Sequence, residues 1–533
     1  MLPEKTFFLL RNICAPYTEN EAEVPIRVAR LFSLNPDEIL DFRIVRKGVD
    51  ARKKSKILYV YTIEFRVSDA ERFWLRHSDS PDLKISEKIS SPNPEILTST
   101  KKIAIVGSGP AGLFAALRLA EYGLTPLLLE RGRPVEERIH DVNRFWQDGI
   151  LNENSNVQFG EGGAGTFSDG KLTTRVKDQN CGYILRRLVE FGAPPEIEWL
   201  AKPHVGSDRL RAVLVNVRKY LLQKGLEIRF STKLTGLGLI NSGLQKVILN
   251  EKDEESCDAL ILAPGHSARD TYAMLHSIGV TMEQKPFAVG FRVEHPQELI
   301  NFIQYGIASD VRLPAADYAL AWNDPATGRS AYSFCMCPGG EVIASSSEND
   351  GVVVNGMSNL KRDSGFANSA LVATVKTSDF SGSSPLAGIE FQRDLERSAF
   401  RAGGNAYKAP AQGLMEFMKL KGGRDFKSSY LPGVTRSQLD ELVPDYITKT
   451  IRDGITSFDR KMRGFLCAEA TLVGVESRTS APLRILRGED FQSLSIRGLY
   501  PCGEGAGYAG GIMSAALDGI RVADALAKEL GAE

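Results

Sequence analysis

Residues 101–132 read KKIAIVGSGPAGLFAALRLAEYGLTPLLLERG, and this stretch decides the fold. An apolar strand, a glycine turn, a helix and a second apolar strand follow one another closely, the rhythm of a βαβ unit with a parallel strand pair. Gly107, Gly109 and Gly112 take the G-x-G-x-x-G spacing between the first strand and the helix. In that setting the first glycine permits a tight turn, the second lets backbone approach a pyrophosphate, and the third lets helix pack on strand. The free amides of the helix N-terminus then face the negative charge. Glu130 closes the second strand eighteen residues after Gly112, where a carboxylate accepts hydrogen bonds from an adenosine ribose. Ser108, Pro110 and Ala111 inside the turn, with Arg131 and Gly132 after the acid, complete the expected dinucleotide contacts. By itself the turn does not separate FAD from NAD.

On the N-terminal side, residues 5 to about 76 read as a small α+β unit. It has a strand near Phe7 to Leu10, a helix around Pro25 to Phe32, and two strands flanking a basic turn in RIVRKGVDARKKSKILYVYTIEFRV. The Ser-, Pro- and Thr-rich segment SEKISSPNPEILTST, residues 86–100, reads as a linker. On the C-terminal side, a less regular region rich in Thr, Ser and Gly runs to about Pro203, followed by helical periodicity over 208–224. Residues 285 to about 460 read as mixed α/β, with strands around 287–293 and 331–345. The segment 497–530 then gives a strand, a glycine turn and a long helix.

The 533 residues are too many for one ordinary domain, and a 43% hydrophobic content supplies several cores. Lys plus Arg equals Asp plus Glu at 66 each, so no global field recruits nucleic acid or an anionic membrane. Seven scattered cysteines do not form a disulfide framework and point to a reducing cytoplasm. The opening MLPEKTFFLLRN has too short an apolar run for a signal peptide, and no segment has the length of a membrane span.

Three further stretches resemble the two-dinucleotide-binding flavoprotein superfamily, which includes the glutathione reductase group. FGEGGAGTFSDGKLTTR resembles its small-residue loop beside pyrophosphate and flavin, which implies cofactor contacts from Gly165, Thr166, Ser168 and Lys171. GLEIRFSTKLTGL resembles the strand that meets adenine, near Leu234, and DALILAPGHSARDT resembles the strand ending in a small-residue turn, here Ala263, Pro264 and Gly265 followed by His266. RGLYPCGEGAGYAGGI resembles the C-terminal motif that binds the ribityl chain, implicating Gly503, Glu504, Gly510, Gly511 and Ile512. Glu504 stands where Asp is usual. The helix that follows would stabilise negative charge on the reduced ring.

The whole chain is similar to the bacterial "FAD-dependent dehydrogenase" or "NAD(FAD)-utilizing dehydrogenase" family, through VDARKK, YSFCMCPGG, VNGMS, ANSALV and ESRTSAPLRILR. The last of these is also similar to flavoproteins that modify tRNA. The resemblance implies an α/β fold: a Rossmann-like FAD-binding domain in two parts, 102–283 and 464–533, around an inserted mixed α/β substrate domain, 284–463. A small N-terminal α+β domain, 1–90, precedes it through a linker, 91–101. It implies an FAD-dependent oxidoreductase with noncovalent FAD and a small-molecule substrate. Because no second G-x-G-x-x-G follows a strand, NAD(P)H would serve only as a transient donor.

For the chemistry, no Cys-x-x-Cys pair is present, and Cys335 and Cys337 are the one close pair. On a regular strand their thiols share a face with Cα atoms about 6.5 Å apart, either a strained redox pair or inert buried thiols. Lys171 places a positive charge near the cofactor, and Asp169 beside it is a candidate acid or base, against a solvated lysine and a loop-capping aspartate. His266, after the Ala-Pro-Gly turn, is a further catalytic candidate, against a plain hydrogen-bonding partner, and His266 and Cys502 are the side chains that a covalent attachment would use. Arg292 and Arg478 are candidates for a bidentate anion contact, against structural ion pairs. The six histidines never take metal-ligand spacing, and no metal is expected. Finally Arg46, Lys47, Arg52, Lys53, Lys54 and Lys56, with Tyr59 and Tyr61 beyond, raise the alternative of a flavin-bearing RNA-binding or tRNA-modifying protein. Against it stands a solvated hairpin whose charge blocks edge pairing.

Overall fold

In the computed structural model the strand Ile103–Val106 lies at the centre of a five-stranded parallel sheet. The order is Leu499–Pro501, Ala259–Leu262, Ile103–Val106, Leu127–Leu129 and Glu227–Arg229. The structure describes residues 3, 5–87, 94–174, 176–423, 425 and 427–532, so residues 88–93 of the linker lie outside it. Every residue of Ile103–Val106 and Ala259–Leu262 is buried, as a parallel sheet covered on both faces requires. One face carries the helices Pro110–Glu121 and Ile512–Glu529, which share a core with Ile105 and Ile261. The two helices approach to backbone contact: a Cβ on Gly519 would sit 2.1 Å from the Ala111 carbonyl oxygen. The other face is closed by a three-stranded antiparallel sheet, Leu234–Ile240, Gly243–Leu249 and Asp253–Ser256, packed on Val106, Leu260 and Leu262.

The region taken from sequence as irregular contains two helices, Val135–Asp148 and Asn180–Glu190. The first conceals its periodicity because a charged residue stands among the apolar ones. Arg138 is fully buried and donates to the carbonyls of Asn156, Val157, Gly160 and Glu161. That guanidinium holds the loop before the Gly163–Phe167 turn in one shape.

The inserted region builds a seven-stranded sheet in the order Ala321–Asn323, Ser330–Cys337, Phe366–Val375, Phe287–Pro296, Thr471–Glu476, Ala409–Gly413, Val434–Arg436. Phe287–Pro296 pairs antiparallel with both neighbours, so the sheet takes in Thr471–Glu476, beyond residue 463. Helices Ala387–Ala402 and Asp445–Lys461 share its core. His295, on the central strand, is fully buried with Nε2 2.7 Å from the Phe465 carbonyl oxygen, and burial pulls its pKa down to about 4. A histidine neutral in the folded state and protonated in the unfolded one makes stability fall as pH drops from about 6.5 to about 4. NMR titration is expected to find this imidazole neutral at pH 5, and a ring already half protonated at pH 6 would contradict the assignment.

The N-terminal unit is a four-stranded antiparallel sheet, ordered Ile39–Asp50, Leu58–Val67, Phe8–Pro16, Leu83–Ile85. Helices Val24–Phe32 and Ala70–His77 pack on it through Phe8, Phe32, Phe65 and Phe73. Its edge strand is not free at Lys47. There the Lys47 N–H donates to the Trp199 carbonyl at 2.7 Å, and the Ala201 N–H to the Lys47 carbonyl at 2.8 Å. The basic turn is partly neutralised: Lys47 pairs with Glu21 at 2.6 Å and lies over the Tyr59 ring, and Arg52 pairs with Asp50.

Candidate functional site

The glycine turn explains itself atom by atom. Gly107 has φ +97°, and a Cβ there would lie 2.1 Å from the Ala263 carbonyl oxygen. A Cβ on Gly112 would lie 1.8 Å from the Gly107 carbonyl oxygen, so helix, turn and neighbouring strand lock together only without side chains. Gly109 caps the helix Pro110–Glu121 and meets the second glycine loop, since a Cβ on Gly163 would be 3.0 Å from the Gly109 Cα. These loops floor a cleft of about 520 Å³, within the range of small-molecule and cofactor sites.

Glu130 is on the cleft wall, but its carboxylate is not free for a ribose as the sequence suggested. It accepts from Ser108 N and Oγ at 2.9 and 2.7 Å, from Gly132 N at 2.8 Å and from Gly160 N at 3.0 Å. Four donors fill the acceptor sites of one carboxylate, and they tie three loops together. Arg131 flanks it, paired with Asp270 at 2.5 Å and lying over the Phe159 ring, and Thr232, Lys233 and Leu234 complete that end.

Most residues singled out from sequence line the same cleft: Gly107, Gly109, Pro110 and Ala111, then Gly165, Ser168, Asp169 and Lys171, then Ala263 to His266, and Cys502, Glu504 and Gly510 to Ile512. Five others stand behind the wall and act on its shape. Ser108 and Gly132 serve Glu130, Gly112 packs on Gly107, and Thr166 accepts from Arg138. Gly503 donates its N–H to Asp518 at 2.7 Å. Asp169 is no free acid or base, because Arg362 holds both its oxygens at 2.9 and 2.5 Å. The Lys171 ammonium is bonded to the Met336 carbonyl. Of the two arginines, Arg292 is fully buried on Glu476 at 2.8 Å, and Arg478 is bidentate to Glu396. Both are structural ion pairs, although Arg478 also lines the cleft.

The inserted region also lines the cleft: Phe334, Cys335 and Glu476 from its seven-stranded sheet, Asn355 from a two-stranded sheet, Glu341–Ala344 with Val354–Met357, and Thr479 from the loop after Glu476. Sequence reasoning assigned no role there to Asn355, Glu476 or Thr479. The signal was present in VNGMS and ESRTSAPLRILR, but polar residues there carry no spacing that reads as chemistry. On the same cleft, His266 Nδ1 lies 3.4 Å from Glu504 Oε1, while His266 Nε2 is buried with no hydrogen-bond partner among the described residues. A buried nitrogen without a partner is costly and marks a place for a ligand group.

The cleft suits a bound dinucleotide. At Gly265, Gly510 and Gly511 a Cβ would meet nothing within 4 Å among the described residues, so backbone borders the open space there. The N-termini of the helices starting at Pro110 and Ile512 both border it, and partial positive charge at a helix N-terminus favours an anionic group. Burial drives the Cys502 thiol well above its ordinary pKa, which keeps it protonated and a poor nucleophile.

An uncharacterized protein of Clostridium beijerinckii is 45% identical over 506 residues, covering 93% of this chain and 94% of its own. This chain belongs to the same family. Residues 286–479 match the family described as FAD-dependent protein, C-terminal domain-like, a span that contains all of the seven-stranded sheet. Residues 12–66 match a domain of unknown function (DUF8436). Among solved structures, CtdE in complex with FAD is 12% identical, with a TM-score of 0.32, over 80% of this chain and 84% of that one. The flavin-dependent brominase Bmp2 is 12% identical with a TM-score of 0.37, over 81% of this chain and 79% of its own. A geranylgeranyl bacteriochlorophyll reductase-like protein of Thermoplasma acidophilum is 13% identical with a TM-score of 0.34, over 80% and 79%.

Proposed function

We propose that this family member is an FAD-dependent oxidoreductase that holds FAD without a covalent bond and acts on a small molecule. The observation that carries the reading is the convergence of the Gly107–Gly112 turn and the N-terminus of the Ile512–Glu529 helix on one cleft. The match to an FAD-dependent protein domain over 286–479 supports it. The amides after Gly109 would take the pyrophosphate, and Arg131 and Leu234 would flank the adenosine. Glu130 would order the turn from the cleft wall. When bound, the flavin supplies two-electron transfer, and the chain positions a substrate against it and excludes water.

His266 is the side chain placed to hold or accept a proton at this end, with Glu504 fixing its Nδ1 side and Nε2 left for the ligand. The substrate would enter against Asn355, Glu476 and Thr479 of the inserted region, and NAD(P)H would act as a transient donor. Acid precipitation of the purified protein is expected to release a yellow chromophore with the mass of FAD, leaving a colourless pellet. Anaerobic mixing with NADH and with NADPH is expected to bleach the flavin band with at least one of them. A protein purified without flavin that takes up none when supplied with FAD would end this reading.

A further inference from the structure

One strand of the inserted sheet breaks its own pairing where it reaches the cleft. Ser330–Cys337 runs antiparallel to Phe366–Val375 through Phe334, and the register then shifts before Cys337. At the break Cys335 takes φ +44°, the left-handed region that a β-strand residue avoids. The regular alternation expected for these cysteines is therefore lost. Cys335 turns onto the cleft wall half-buried, while Cys337 lies fully buried behind it. The Cys337 thiol donates to the Cys335 carbonyl at 3.3 Å.

The surroundings are those of an activated thiol. Arg292 donates through Nη2 to the Cys335 carbonyl at 2.6 Å and reaches the Cys337 sulfur at 3.5 Å. The Lys171 ammonium is anchored on the carbonyl of Met336, between the two cysteines. The Cys337 thiol beside it lowers the Cys335 pKa from the ordinary thiol value, with Arg292 and Lys171 adding to the effect against burial. Cys337 moves well above its ordinary value, raised by Cys335 beside it and by burial. A half-buried thiol on the cleft wall whose ionisation is favoured, with a second thiol buried two residues on, is the division of labour that thiol–disulfide exchange needs. No buried structural pair requires it.

We propose that Cys335 and Cys337 are a redox-active dithiol that closes to a disulfide on the wall of the cofactor cleft and exchanges two electrons with the flavin. The inference rests on the flavoprotein reading above. On closure the Sγ–Sγ bond forms and the two S–H bonds break, and the two electrons and two protons released convert oxidised FAD to FADH2. In the opposite direction the same pair delivers electrons to a disulfide substrate by exchange at Cys335, the sulfur on the cleft side. Arg292 and Lys171 are positioning residues in this scheme.

The test uses the full-length protein. Equilibrated in glutathione and dithiothreitol redox buffers, then alkylated with iodoacetamide and digested with trypsin, it yields Ser330–Lys361, which contains these two cysteines and no other. Under oxidising buffers this peptide is expected lighter by two hydrogens and unalkylated; under reducing buffers it carries two labels. Full alkylation at every ratio, and after treatment with diamide, overturns the proposal. Coupling to the flavin is read by anaerobic dithionite titration of the FAD-bound protein. Wild type is expected to take four electrons per flavin, and Cys335→Ser and Cys337→Ser two each. Two electrons for the wild type as well would overturn the coupling. A protein without flavin sinks the earlier reading instead, and the peptide mass still decides whether the dithiol closes.

Discussion

Replacing Gly112 by alanine is expected to weaken flavin retention at least about tenfold and to destabilise the fold by about 3 kcal/mol, an overpacking cost at its upper range. The added Cβ falls 1.8 Å from the Gly107 carbonyl oxygen, which is backbone and has nowhere to retreat. Gly107 is itself pressed against Ala263, so strain passes from helix to turn to the next strand. Gly510→Ala is the matched control. Its Cβ meets no heavy atom within 4 Å, so the melting temperature should stay near wild type while the methyl intrudes on the ligand space. Urea melts with and without added FAD separate the two effects. A Gly112→Ala protein with wild-type stability and full flavin content would mean that the turn is looser than its geometry requires.

Glu396→Gln is expected to cost about 3–5 kcal/mol at pH 7, the range for breaking a buried pair. Glu396 is 1% exposed and takes Arg269 at 2.8 and 2.7 Å, Arg478 at 2.9 and 2.7 Å, and the Ser477 hydroxyl at 2.7 Å. Glutamine keeps the shape but leaves two buried guanidinium groups short of a charge. Burial alone would raise the Glu396 pKa, yet the two arginines hold it well below the ordinary carboxylate range. A depressed folded value contributes stability above the unfolded pKa of about 4.5, and that contribution is lost as pH falls through the carboxylate range. The difference between wild type and variant should therefore be largest near neutrality and shrink toward acid. Chemical denaturation at pH 7 and pH 4 measures it, and equal differences at both would refute the ion-pair account. Because Arg478 lines the cleft, flavin retention should fall in parallel.

Much of this was legible in the chain because backbone requirements leave a mark on residue type. Gly107 and Gly112 have to be glycine, the strands beside them have to be apolar on both faces, and the helix from Ile512 has to follow a small-residue turn. Regular amphipathic patterns also gave the helix at Ser207–Gln223 and the paired strands around the basic turn. What stayed hidden depends on tertiary neighbours. The helix at Val135–Asp148 was obscured by Arg138, whose burial is tolerable only because four distant carbonyls receive it. Glu130 looked like a ligand acceptor because nothing in a linear reading shows that Gly160 folds back to occupy it. Arg292 and Glu476, separated by most of the inserted region, become a pair only through strand pairing. The break at Cys335 has no signature, since a left-handed cysteine is not announced by its neighbours in sequence.

The order of strands in the parallel sheet also fixes the order in which the protein can mature. Leu499–Pro501 and the helix after it are translated only after the entire inserted region, yet they complete the sheet that begins at Ile103. On the ribosome the N-terminal sheet can fold first and the inserted sheet can begin to assemble, while the glycine turn waits with one wall missing. Cofactor loading thus becomes a late step of biogenesis, and a nascent chain stalled before Leu499 would display an open, apolar sheet edge to chaperones instead of a cleft.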